Sequence, residues 1–365
     1  MTPPATPCLA VVLDAGDDAA FTHTALAAHA PHAGRITLHP APGTVSDSAL
    51  AGELLFALGK PAHLPGRFPH GRPPLWEAAA AWTAALAMTR LTVLRAHLLD
   101  DRRLQRLLAL QRQTGIHLTL VVHRPRLTAA LTRALAPVTY THNATLAAAR
   151  ALYFDGRPPT AGGAASAAVS PAAGPARWLT LPSLDRLVSY DSPGPCPGPC
   201  LPGLIDWRQR PAPEPLTATQ AAQVVRRIHT ATAHPRLAAA LAATLFTGAS
   251  FQQLATARSD DFHDAPALLA LHDQTRFTDG CATHPVPAWA AVFLRAATYY
   301  AHSTAATHLL VEPGERPALL RLAETARLRP PQPPDAPNAR RSGKAVWDWR
   351  EVREARGSRP APPAP

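Results

Sequence analysis

Lysine is almost missing from this chain: of 36 basic residues only Lys60 and Lys344 are lysine, and the rest are arginine. With the excess of Ala, Pro and Gly this reads as the coding bias of a GC-rich genome, so the arginine content alone is a weak pointer to nucleic acid. Cysteine is scarce as well, and 4 in 365 residues exclude a disulfide framework. Long apolar runs are lacking: the longest apolar stretch between charges, Glu77 to Arg90, falls short of the ~20 residues a membrane span needs. Met1 to Asp18 has no basic region and only Leu9 to Leu13 as an apolar run, too short for a signal peptide. A cytoplasmic protein without a membrane partner is the expectation. Catalytic signatures are missing too. There is no Gly-x-Ser-x-Gly elbow, no His-Glu-x-x-His and no paired catalytic carboxylate motif, so no hydrolase class has a residue to stand on.

What is present in excess is proline, 41 residues crowded into particular stretches. Apolar residues make up 47 %, enough for two or three domains with real cores. A formal charge of +11 favours an anionic partner at low salt. Residues 1–150 alternate short apolar runs with Ala/Leu-rich helical patterns. Strands are expected at Leu9–Leu13, Arg35–His39, Leu91–Leu94 and Ile116–Val122. Helices are expected around Ala19–His29, Asp47–Leu58, Leu75–Met88, Leu99–Thr114 and Leu127–Leu135. That alternation predicts an α/β domain with a mostly parallel sheet. Residues 151–215 read as an Ala/Gly/Pro-rich linker, most flexible over 156–176. Residues 216–329 read as mainly helical, with capping-box spacings at Thr217–Gln220 and Ser250–Gln253. Residues 330–365 form a basic, Pro-rich tail.

In element order the first 135 residues resemble AAA-type, transposition-helper-like P-loop ATPases. That family carries a phosphate loop after its first strand and an Asp-Glu pair after a later one. The resemblance puts the phosphate loop at Leu13–Ala20, where the lysine position falls on about Asp18 and the hydroxyl on about Ala19. Leu91 to Asp100 resembles the later motif, but Leu94 and Arg95 replace the two acids while Ala96, His97 and Leu98 remain. His123 ends the next strand, where a polar sensor would stand. An acidic loop repels a triphosphate, and without carboxylates nothing holds magnesium. The resemblance therefore implies a P-loop-like fold that has lost its nucleotide chemistry.

Pro215 to Val225 and Ala242 to Leu254 resemble the opening and first catalytic box of a tyrosine recombinase (integrase) domain. Here Ser250 stands in place of the box arginine, and Gln253-Leu254 in place of Glu-Leu. Leu268–His272 and His284–Val286 are the expected strands, flanking Arg276 where the family's hairpin lysine would be. The His-x-x-Arg box and nucleophilic tyrosine are missing, and Tyr299 and Tyr300 lie too early in the chain. Cleavage needs both arginines and tyrosine, so the resemblance implies a truncated, inactive module. A helix-turn-helix over Pro235 to Ala257, turning at Thr247–Ala249, is a further reading of the same segment.

Cys196-Pro-Gly-Pro-Cys200 has no second ligand pair nearby, so zinc is not expected there. No catalytic residue, cofactor or metal ligand is assigned. The leading expectation is a non-catalytic DNA-transaction or regulatory factor, built from pseudo-ATPase and integrase-like modules and of mobile-element character. Its partners would be DNA, other protein subunits, or both. DNA contacts would come from Arg276 and the tail residues Arg340, Arg341, Lys344, Arg350, Arg353 and Arg356, with Trp347 and Trp349 interleaved. The alternative is a protein–protein scaffold that never touches DNA.

Overall fold

The structure is a computed structural model, and it describes residues 8–41, 46–66, 68, 71–154, 178–179, 181–188, 213–272 and 282–330. The chain divides into two compact units. One takes residues 1–172 together with 229–238 and 291–306; the other takes 173–228, 239–290 and 307–365. No helix among the described residues is long and apolar enough to cross a membrane.

The first unit is built on a parallel sheet of five strands: β1 (Leu9–Leu13), β2 (Arg35–Leu38), β3 (Arg90–Val93), β4 (His117–Val122) and β5 (Thr141–Asn143). Their order is β2-β3-β4-β1-β5, with Val11 beside Leu120 and Val12 beside Asn143. β1 is a continuous apolar run and β4 is buried along all but its first residue, as expected where both faces of a parallel sheet are covered. The helices are α1 (Ala19–Ala27), α2 (Asp47–Ala57), α3 (Leu75–Ala85), α4 (Asp101–Thr114), α5 (Ala129–Leu135) and α6 (Leu146–Phe154). Local chemistry sets their starts. Asp18, Ser46, Asp100 and Thr128 each accept a hydrogen bond from a backbone N–H of the first turn. α4 lays Leu104, Leu107, Leu108 and Leu110 into the core and stops at Gly115, whose φ of 69° only glycine adopts freely. Arg–Asp and Gln polar residues cover its other face.

A second part of this unit's core is aromatic. Trp82 is fully buried, and its indole N–H donates to the Ala233 carbonyl at 2.8 Å. Phe293 meets the indole edge-on, and His234 lies between Phe68 and Tyr300. His229 donates from Nε2 to the Leu58 carbonyl at 3.0 Å. Over the indole face, 3.3 Å from its centre, sits the Lys60 amine, buried and, among the described residues, without a hydrogen-bond partner.

The remaining chain forms α7 (Ala218–Ala231), α8 (Pro235–Thr247), α9 (Phe251–Leu254), α10 (Ala288–Thr304) and α11 (Arg316–Thr325). The second unit also holds an antiparallel sheet, β6 (Phe262–His263), β7 (Leu268–Leu271) and β8 (Ala282–Pro285). Both expected capping boxes form: Thr217 with Gln220 at the start of α7, and Ser250 with Gln253 at the start of α9. Buried Phe251 and Leu254 show why so short a helix persists.

The α/β architecture follows the sequence pattern, with strand ends shifted by a residue or two. β5 and α6 were not expected. β5 is Thr-His-Asn at a sheet edge, half exposed, so it carries no apolar signal. The expected linker over 156–176, the Cys196/Cys200 pair, Arg276 and the whole basic tail lie outside the described residues.

Candidate functional site

In an open parallel sheet, ligands bind beyond the carboxyl ends of the strands, where successive connections leave in opposite directions. That point lies here between β1 and β4. The chain leaves β1 toward β2 on one side, and leaves β4 toward β5 on the other. The residue following β1 is Asp14, and the residue following β4 is His123.

The backbone fixes both. Asp14 N–H donates to the Val122 carbonyl at 2.9 Å, extending the ladder one residue past the strands. His123 N–H donates to His97 Nδ1 at 3.3 Å. His97 therefore accepts at Nδ1 and carries its proton at Nε2 when neutral. Burial first, and then the charges of Arg124, His123 and Arg95, lower the His97 pKa from its usual value, against Asp17, which raises it. Arg95 enters this turn in the left-handed region at φ 51°. Asp17 is left-handed too, at φ 50°, and this turn brings its carboxylate back toward the sheet.

The side chains converge. His123 Nδ1 lies 2.8 Å from Asp14 Oδ2 and 3.2 Å from Asp17 Oδ1. The Asp14 carboxylate is buried and the imidazole has no exposed side-chain surface, whereas Asp17 is 54 % exposed. Arg95 reaches Asp17 across 3.6 Å. Both carboxylates thus face the same ring nitrogen, Nδ1. Among the described residues, the buried Nε2 of His123 has no hydrogen-bond partner, and nor has the buried Tyr153 hydroxyl. Burial, then the Asp14 charge, pushes the Tyr153 phenol above its ordinary range. Asp18 contributes differently. Its N–H donates to Asp14 Oδ1 at 3.0 Å, while its carboxylate accepts from Ala20 N–H at 2.9 Å and caps α1. The group Asp14, Asp17 and His123 offers three ligand atoms within 4.8 Å of one another.

Of the residues singled out in the sequence, Asp18 and Ala19 sit at the exposed start of α1. Leu94 is fully buried in the core with Val12, Phe21 and Val121. Arg95 joins the Asp17 carboxylate. Ser250, in the other unit, is buried and spent on the α9 cap. Asp14 and Asp17 went unrecognised as site residues because they are read as a degenerate phosphate loop. Their spacing of three residues was visible, but the third member, His123, is over a hundred residues away and only the sheet brings it near.

The fold and site together define an α/β protein with a polar, partly anionic switch-point site. Compared with known proteins, the chain matches no family model and no curated protein.

Proposed function

We propose that the chain is a non-catalytic DNA-transaction or regulatory factor, in which an ATPase-like α/β unit and an integrase-like unit keep their frameworks without their reactive groups. The observation that carries this reading is the start of α1. There the backbone N–H groups that would cradle a phosphate are taken by the chain's own carboxylates, Asp14 on Asp18 N–H and Asp18 on Ala20 N–H. A triphosphate would have to displace them and face their charge. Leu94, at the position of a magnesium-holding acid, is core. The sheet with β1 and β4 central and the loop after β1 opening a helix agree with an ATPase-like layout. In the second unit, β7 and β8 flank the Arg276 segment in sequence, in the order an integrase-like domain has. Ser250 serves structure where that family would use arginine.

Two titrations test the reading. Calorimetry of the full chain with ATP and magnesium should show no micromolar binding; such binding, lost in Asp18→Ala, overturns the inactive-ATPase half. Full-length and 336–365-deleted protein titrated on duplex DNA at two salt concentrations tests the other half. The full chain should bind at low salt, and deletion should flatten the slope of log K against log salt by about 0.9 for each phosphate contact removed. If the full chain does not bind DNA at low salt, the scaffold reading replaces this one.

A further inference from the structure

We infer that Asp14, Asp17 and His123 form a binding site for one divalent transition-metal ion at the carboxyl ends of β1 and β4. The proposal goes beyond the function above and does not depend on DNA or nucleotide binding.

The geometry is the first support. Ligands each about 2.1 Å from a common ion lie about 3.0–3.4 Å from one another. His123 Nδ1 lies 2.8 Å from one carboxylate oxygen and 3.2 Å from the other, so small side-chain shifts seat an ion among them. One imidazole and two carboxylates make a borderline donor set, suited to zinc or manganese rather than to a thiolate-seeking ion. Three protein ligands leave the remaining positions open on the exposed Asp17 side.

The second support is independent of the acids. His123 is a wholly buried imidazole whose Nδ1 is aimed into the group, and among the described residues its other ring nitrogen, Nε2, has no hydrogen-bond partner. A buried polar atom left unpaired costs about 1–3 kcal/mol, which a fold seldom tolerates without a reason. Tyr153, beside the Asp14 charge, repeats the pattern with an unpartnered buried hydroxyl.

One contact opposes the ion. Arg95 lies 3.6 Å from Asp17 Oδ1 and competes for that carboxylate. This makes the proposal sharper, because removing the competitor should tighten binding, an effect that damage to the fold would not produce.

The test uses the metal-stripped full chain, titrated separately with Mn2+ followed by its electron paramagnetic resonance signal and with Zn2+ by calorimetry. Manganese avoids sites that depend on the cysteines. Expected are one saturable site per chain, at least about tenfold weaker in Asp17→Asn, whose exposed side chain spares the fold, and tighter in Arg95→Gln. His123→Gln should abolish the site, with circular dichroism reporting the fold. Absence of a saturable Mn2+ site, or equal affinity in the wild type and Asp17→Asn, overturns the assignment. Zinc binding that persists unchanged in Asp17→Asn places that ion elsewhere in the chain and overturns it too.

Discussion

Two places in the first unit bury ionisable groups, and they do so on opposite terms. Around Trp82 the chain sets Lys60 and His234, both buried, and the half-buried His229 among rings. At the ends of β1 and β4 it buries Asp14 and His123 against each other. Desolvation rules in the first place. It drives His229 and His234 down to about 3, with the Lys60 and Arg236 charges next in order, and drops Lys60 well below its ordinary value. The ring face under Lys60 returns about 2 kcal/mol to an ammonium, while burying the ion costs several, so burial outweighs the ring and holds the amine well below its ordinary range. In the second place the two side chains meet each other directly, at 2.8 Å. Buried polarity thus faces rings in one region and a polar partner in the other.

The largest way to break this contrast is acid. His229 and His234 have folded-state pKa values of about 3 against 6.5 unfolded, so their contribution is complete above pH 6.5 and lost as pH falls toward 3. Each loss is on the order of 5 kcal/mol. Urea unfolding across that range should show the decline, and His234→Phe should make it shallower by about 1.4 kcal/mol per pH unit. An unchanged slope would mean that His234 is charged or solvated.

Next comes Asp14→Asn, which leaves His123 buried beside an uncharged amide and should cost about 3 kcal/mol. Asp17→Asn, exposed, should cost under about 1 kcal/mol in the absence of metal. Equal losses would erase the distinction between the buried and the exposed carboxylate.

Smaller, and of opposite sign, is Lys60→Met. It removes an unpartnered buried amine and keeps the packing on Trp82, so stability should rise by about 2 kcal/mol at pH 7. The lowered folded pKa makes wild-type stability climb with pH up to the unfolded value near 10.4, and the variant should lose that climb. A destabilised variant would show that the amine is held charged by the indole.

Much of the fold was legible because its signals are local. Leu9–Leu13 is an unbroken apolar run, and it is β1; Ser250-x-x-Gln253 has capping-box spacing, and it caps α9. β5 escaped because three polar residues at a sheet edge look like any loop. The site was half legible. The acids after β1 were noticed as a departure from a nucleotide-binding pattern and the histidine after β4 as standing at its polar sensor, and none as a partner of the others. Leu94 and Ser250 were noticed as missing chemistry and proved to be core and cap.

By itself the sequence determined the parallel α/β layer, the helix starts and the acidity of the loop after β1. These depend on neighbours within a turn or a strand, where hydrophobic period and capping chemistry act. Only the tertiary structure decided that Asp14, Asp17 and His123 meet, and that Lys60 lies buried over Trp82. Strand order sets the first, since β4 pairs with β1 across 109 residues of chain. Packing sets the second, because an isolated lysine carries no local sign of whether it will reach water.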